Sequence, residues 1–132
     1  MKFLITLFAT IPVVAFSKDL VSPDEFEAMS TNRTQYFERN GEFYGAEQFF
    51  SDRTSVWQYS DGSCTWGKWY EQGDQICFIY DANPNPQCWH FSERNGTFYA
   101  RVAGLAEGDP SELRLSKVDD KPLNCPGPDI GA

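Results

Sequence analysis

Four cysteines, one histidine and a set of acidic turns are the groups in this chain that could carry chemistry. Cys64, Cys77, Cys88 and Cys125 contain no C-x-x-C pair, so the spacing supports neither a short-spaced redox dithiol nor a cysteine-rich zinc site. Their even number, downstream of an export-type N-terminus, points to two disulfides formed in an oxidising compartment. His90 is the single histidine. As a general base it would need a nucleophile and an orienting carboxylate, and no spacing nominates either. Ser63, Ser92 and Ser116 are simply present. A glycosidase-like carboxylate pair is chemically conceivable. Asp52, Asp61, Asp74 and Asp81, however, fall where acids serve turn geometry and solvation. No calcium-loop, phosphate-loop or dinucleotide fingerprint is present in the sequence. The expectation is a non-enzyme without metal or cofactor.

Binding chemistry is better represented. Trp57, Trp66, Trp69 and Trp89 could stack on sugars or aromatic ligands if exposed on a curved sheet, or anchor an interface. Trp66 and Trp69 lie three apart on one strand and face opposite sides, so at least one leaves the main core. Trp57 and Trp89 read as core. A local echo adds further candidates. Glu38-Arg39-Asn40-Gly41-Glu42-Phe43-Tyr44 matches Glu93-Arg94-Asn95-Gly96-Thr97-Phe98-Tyr99 at all but one position. It reads as one hairpin solution used twice. If both tips shared an end of a barrel, they would form a paired recognition rim. The candidate binding residues are therefore Trp66, Trp69, Tyr44, Tyr99, Arg39 and Arg94.

The elements that must position these groups begin after residue 17. Lys2 supplies a positive start, Phe3 to Phe16 is an apolar run, and Ala15 and Ser17 offer small residues before Lys18. This pattern is that of a cleaved signal peptide over residues 1–17. At about 14 residues the run falls short of the roughly 20 that span a bilayer as a helix. About 115 residues remain, which suits one domain over 18–132. Losing Lys2 moves the formal charge from −8 to −9. Such a surface disfavours nucleic acid and anionic lipid, and favours solubility and a cationic partner.

Ser22-Pro23-Asp24-Glu25 carries an N-cap, an N1 proline and the N3 glutamate of a capping box, with Val21 and Phe26 as hydrophobic staple. A short helix over 23–31 follows, with Phe26 and Met29 facing inward. The rest reads as eight short antiparallel strands. They are Tyr36–Glu38, Glu42–Phe50, Ser55–Tyr59, Cys64–Tyr70, Gln75–Tyr80, Gln87–Ser92, Thr97–Ala103 and Glu112–Val118. Asn-Gly and Asp-Gly turns separate several of them. Asp81 to Pro86 reads as a loop, because its two prolines cannot donate to a ladder. The tail over 120–132 reads as irregular. The fold class is mainly β, a small up-and-down barrel or strongly curved meander sheet. An aromatic fraction of 16% favours an interior filled by side chains over a hollow one.

Strand parity places Ile76, Phe78 and Tyr80 on one face, joined across the loop by Trp89 and Phe91. Cys77 and Cys88 fall on the other face with Ile79 and His90, so they can bridge neighbouring strands. That leaves Cys64 with Cys125, although four cysteines allow three pairings. Loop entropy gives about 3 kcal/mol for the short bridge and on the order of 4 kcal/mol for the long one.

Gly67-Lys68-Trp69-Tyr70, Gly73-Asp74, Ile76-Cys77-Phe78 and Cys88-Trp89 together resemble small exported bacterial β-rich proteins of unknown function. Those carry a G-x-W strand, a G-D turn and two cysteines on successive strands. The resemblance covers roughly residues 55 to 100. It implies a periplasmic or secreted, lipocalin-like domain and carries over no catalytic residue. The expected role is non-catalytic binding of a small apolar ligand or an envelope protein. The alternatives are a structural or stress-related envelope protein, or an inhibitor of a secreted enzyme.

Overall fold

A computed structural model describes residues 8–12 and 20–128. The cleavage-site residues Ala15, Ser17 and Lys18, together with Lys2, lie outside the described residues, as does the end of the tail at 129–132. No described helix is long and apolar enough to cross a membrane.

Eight strands form a closed antiparallel barrel in sequence order: β1 Thr34–Arg39, β2 Glu42–Phe49, β3 Thr54–Tyr59, β4 Cys64–Gln72, β5 Gln75–Tyr80, β6 Asn83–Arg94, β7 Thr97–Val102 and β8 Leu113–Asp119. β8 pairs back onto β1, so the sheet has no first or last strand. Turn chemistry explains the meander. Asn40 and Gly41 have φ of 51° and 78°, and Asn95 and Gly96 have 52° and 79°. These are the paired positive values that a tight hairpin turn requires and that Asn-Gly supplies at least cost.

Two expectations need correction here. The stretch Asp81 to Pro86 is mostly strand, since β6 already begins at Asn83. Asn83 pairs with Tyr80 and Gln87 with Phe78. Pro84, Asn85 and Pro86 therefore sit in a ladder irregularity, where a missing donor costs nothing. The second correction concerns the echoed hairpins. In an up-and-down barrel, turns after odd-numbered strands gather at one end and turns after even-numbered strands at the other. Asn40-Gly41 follows β1 and Asn95-Gly96 follows β6, so the two tips lie at opposite ends. No paired rim forms.

Helix α1, Pro23–Ser30, stops one residue before the expected end because Thr31 is its C-cap. The Ser22 hydroxyl accepts from the Glu25 amide at 3.2 Å. The Val21 amide donates to the Phe91 carbonyl at 2.8 Å, and Leu20 bridges to Ser92, which ties the entry segment to the edge of β6. The short helix is thereby held against the barrel end that carries the β2–β3, β4–β5 and β6–β7 turns. There Phe26, fully buried, sits among Phe49, Trp69, Phe78 and Phe91, with ring centroids 5.4, 5.1, 6.4 and 4.6 Å away. We call this end the base and the opposite end the mouth. Arg53, from the β2–β3 turn, bonds Glu27 of the helix at 2.7 Å and lies 4.3 Å over the Trp69 ring.

Both disulfides form as expected. Cys77 and Cys88 are direct partners on β5 and β6, with Cα atoms 4.0 Å apart. Cys64–Cys125 draws the tail across the outside of β1 to β4. The tail is fixed there by the Leu123 amide on Gln48, the Gln58 amide on the Asn124 carbonyl, and the Trp66 indole on the Pro126 carbonyl. Ala46 and Val56, which share parity with outward-facing neighbours, are almost fully buried.

Candidate functional site

Alternation along the strands decides what lines the interior. On β2 the inward positions are Gly45, Glu47 and Phe49. On β3 they are Ser55, Trp57 and Tyr59, and on β5 they are Ile76, Phe78 and Tyr80. At the base these positions close on Phe26. Toward the mouth they do not meet, and they leave a cavity of about 120 Å³. The expectation of a filled barrel thus holds for one half only. Phe37, Trp57, Phe78, Trp89 and Phe91 form its walls, Ala100 and Leu113 close the far side, and Tyr44, Tyr59 and Gln87 stand at its opening. An engineered apolar cavity of about 150 Å³ takes up benzene, so the space suits a group of about that size.

Two local devices shape it. Phe37 pairs with Gly45 while Glu38 pairs with Phe43, which leaves Tyr44 as an extra, unpaired residue. Such a bulge re-aims a side chain, and Tyr44 stands at the opening. Gly45 has a packing reason. A Cβ there would lie 2.2 Å from the Trp57 ring. The indole rests directly on the bare backbone of β2.

Glu47 is the charged residue in this lining. It is 2% exposed, and the Tyr80 hydroxyl donates to its two carboxylate oxygens at 2.9 and 3.0 Å. Burial pushes its pKa up to about 8, against the smaller opposing effects of Ser55 and Tyr80. Ser55 lies close enough to favour the charged form, yet its buried Oγ makes no hydrogen bond of ordinary geometry. No described Lys, Arg or His forms a salt bridge to Glu47. At neutral pH the group is therefore mainly a carboxylic acid, able to donate or accept. Burial first, then the Glu47 carboxylate, holds the Tyr80 phenol well above its usual range.

The structure disperses the residues singled out from sequence. Tyr44 belongs to the mouth, with the Arg39 guanidinium 4.7 Å over its ring. Trp69 is sealed at the base under Arg53 and against Phe26. Trp66 faces outward, stacked on Phe50 at 5.4 Å and bonded to the tail. Arg94 lies 3.8 Å over Tyr99 and pairs with Glu112 on the outer surface. His90 faces outward too, 3.2 Å from Asp74. Of the six, only Tyr44 reaches the cavity. Trp57 and Trp89, read as core, are cavity walls. Glu47 was missed, although it shares strand parity with Phe49.

Comparison of this chain with protein-family models, curated proteins and solved structures finds no match in any of the three. The geometry of the barrel is thus the guide to its role.

Proposed function

We propose that this chain is a non-catalytic binding domain that works outside the cytoplasm and holds a small, mostly apolar ligand at the mouth of its barrel. The observation that carries this reading is the cavity of about 120 Å³. Aromatic rings form most of its wall, and a few polar groups converge at its rim and depth. Ligand sites are typically concave and apolar with a small number of placed polar groups. Two disulfides are typical of proteins outside the cytoplasm. With the N-terminal export pattern they support a periplasmic or secreted location.

The test uses Trp57 and Trp89 as reporters, since both line the cavity. Tryptophan emission is followed while the purified domain is titrated with small aromatic and aliphatic compounds. In parallel, protein recovered from its own host is examined by native mass spectrometry for a retained small molecule. Saturable quenching, or a retained ligand, is the expected result. The absence of both a retained mass and a saturable change with any compound would sink the proposal.

A further inference from the structure

Among the described residues, Glu47 has no counter-charge. It projects inward from β2, and the neighbouring strands offer it only neutral groups: Gln35 and Phe37 from β1, and Ser55 and Trp57 from β3. The titratable groups around the same cavity are tyrosines, namely Tyr80 from β5, with Tyr44 and Tyr59 at the mouth. No described Lys, Arg, His, Asp or second Glu lines it. A single buried carboxyl walled by ring faces, once it loses its proton, meets no cation among the described residues. Aromatic faces attract cations through their negative centres, most strongly when water is excluded. The barrel already uses this chemistry elsewhere, with Arg39 4.7 Å over Tyr44 at the cavity's rim and Arg94 and Lys117 3.8 and 4.5 Å over Tyr99 and Tyr36.

We infer that the cavity takes a small organic cation, an amine or ammonium on an apolar body, whose charge pairs with the Glu47 carboxylate while its body lies against Trp57 and Trp89. This inference rests on the cavity being the binding site proposed above. Once Glu47 is ionised, a ligand carboxylate would meet it with like charge, and a purely apolar ligand would leave it with the Tyr80 hydroxyl but no cation. The formal charge of −8 adds a field that draws cations toward the barrel. Because the empty site holds its proton up to about pH 8, a bound ammonium displaces that proton to the solvent. Cation affinity then rises about tenfold per pH unit below that value and levels off above it.

The experiment compares three probes of similar size: benzylamine, benzyl alcohol and benzoate. Each is titrated by calorimetry into the disulfide-bonded domain from pH 6 to pH 8.5, and into a Glu47→Gln variant. At pH 8 the amine is expected to bind at least about tenfold tighter than the alcohol, with benzoate weakest. Its affinity should climb with pH while that of the alcohol stays flat. At pH 7, the apparent heat should depend on the ionisation heat of the buffer, as proton release requires. Glu47→Gln should remove the amine's advantage and keep alcohol binding. Equal affinities for amine and alcohol overturn the cation inference and leave the binding cavity standing. Binding of none of the three overturns the cation inference, and the binding cavity then falls only if the wider titration and the retained-mass search above also fail. If Glu47→Gln does not fold, the wild-type pH profile still decides, and a flat amine curve rejects the inference.

Discussion

The two ends of this barrel are lined by the same residue types and behave as different materials. At the base, Phe26 of α1 enters between Phe49, Trp69, Phe78 and Phe91, and the rings meet edge to face or at a tilt, so that Phe49, Phe78 and Phe91 floor the cavity above. At the mouth, comparable rings from β1, β3, β5 and β6 stand apart around a buried acid. Among the described residues, no helix enters there. The difference is one inserted side chain, carried by an eight-residue segment that is pinned to β6 at Leu20 and Val21. Aromatic content alone therefore does not decide whether a small barrel is filled. The presence of a plug at each end does.

The sharpest way to break the contrast is to remove the plug. Phe26→Ala deletes a fully buried ring, and a change of that kind costs about 3–5 kcal/mol. The helix is too short to persist without docking, so the loss is expected at about 5 kcal/mol. Urea unfolding should show a lowered midpoint, and hydrogen exchange should show loss of protection across 22–31. A loss under about 1 kcal/mol would mean that the base is not held as described.

The acid at the mouth gives a second contrast, this time in pH. The folded-state pKa of Glu47 lies near 8, above its value of 4.5 in the unfolded chain. Between these values the native state keeps a proton that the unfolded state has lost, so stability falls as pH rises from about 5 to 8. About 3.5 pH units of difference set a ceiling of about 5 kcal/mol. The turn acids Asp52, Asp61 and Asp109, and Asp119 at the end of β8, have lowered pKa values, so their stabilisation is lost only below about pH 4. Tyr80 and Tyr36, both raised, act above pH 10. Stability should thus peak near pH 5 and decline across neutrality. Glu47→Gln, which keeps a neutral side chain of the same shape, should flatten that decline and overtake the wild type by pH 9. Parallel curves for the two proteins from pH 5 to 9 would contradict the assignment.

Legibility in the sequence follows how local each pattern is. Asn40-Gly41 and Asn95-Gly96 mark their hairpins because few other residue pairs accept two positive φ values. Ser22-Pro23-Asp24-Glu25 marks the helix start because each position answers an unpaired amide. Cys77 and Cys88 could be paired from parity alone. Closure of the sheet and the crossing tail depend on residues such as Gln48 and Thr34 bonding Leu123 and Lys121 more than 70 positions away, which no local pattern encodes. Glu47 escaped notice for a different reason. A glutamate beside Gln48 reads as a solvated edge, and only its shared parity with Phe49 betrays the inward orientation. Pro84 and Pro86 misled for a third reason, since proline excludes a regular ladder but not an irregular one. The opposite placement of the two echoed hairpins was available by counting strands.

The smallest effect tests how the cavity keeps its shape. Gly45→Ala would place a methyl 2.2 Å from the Trp57 indole, a separation no carbon pair tolerates. The backbone φ there is not positive, so the substitution meets no conformational barrier, only the ring. Trp57 can relieve the overlap by swinging toward the open side of the cavity, because the base beyond Phe49 and Phe78 offers no room. Overpacking of this kind typically costs about 1–3 kcal/mol. With open space beside the indole, the lower half of that range is expected. The functional consequence should exceed the structural one, since the displaced ring occupies the volume a ligand would use. Benzyl alcohol titrated into Gly45→Ala should bind at least about tenfold more weakly, while the unfolding midpoint shifts only modestly. Unchanged binding would show that Trp57 is not a wall of the site, and the contrast between a packed base and a hollow mouth would lose its functional meaning.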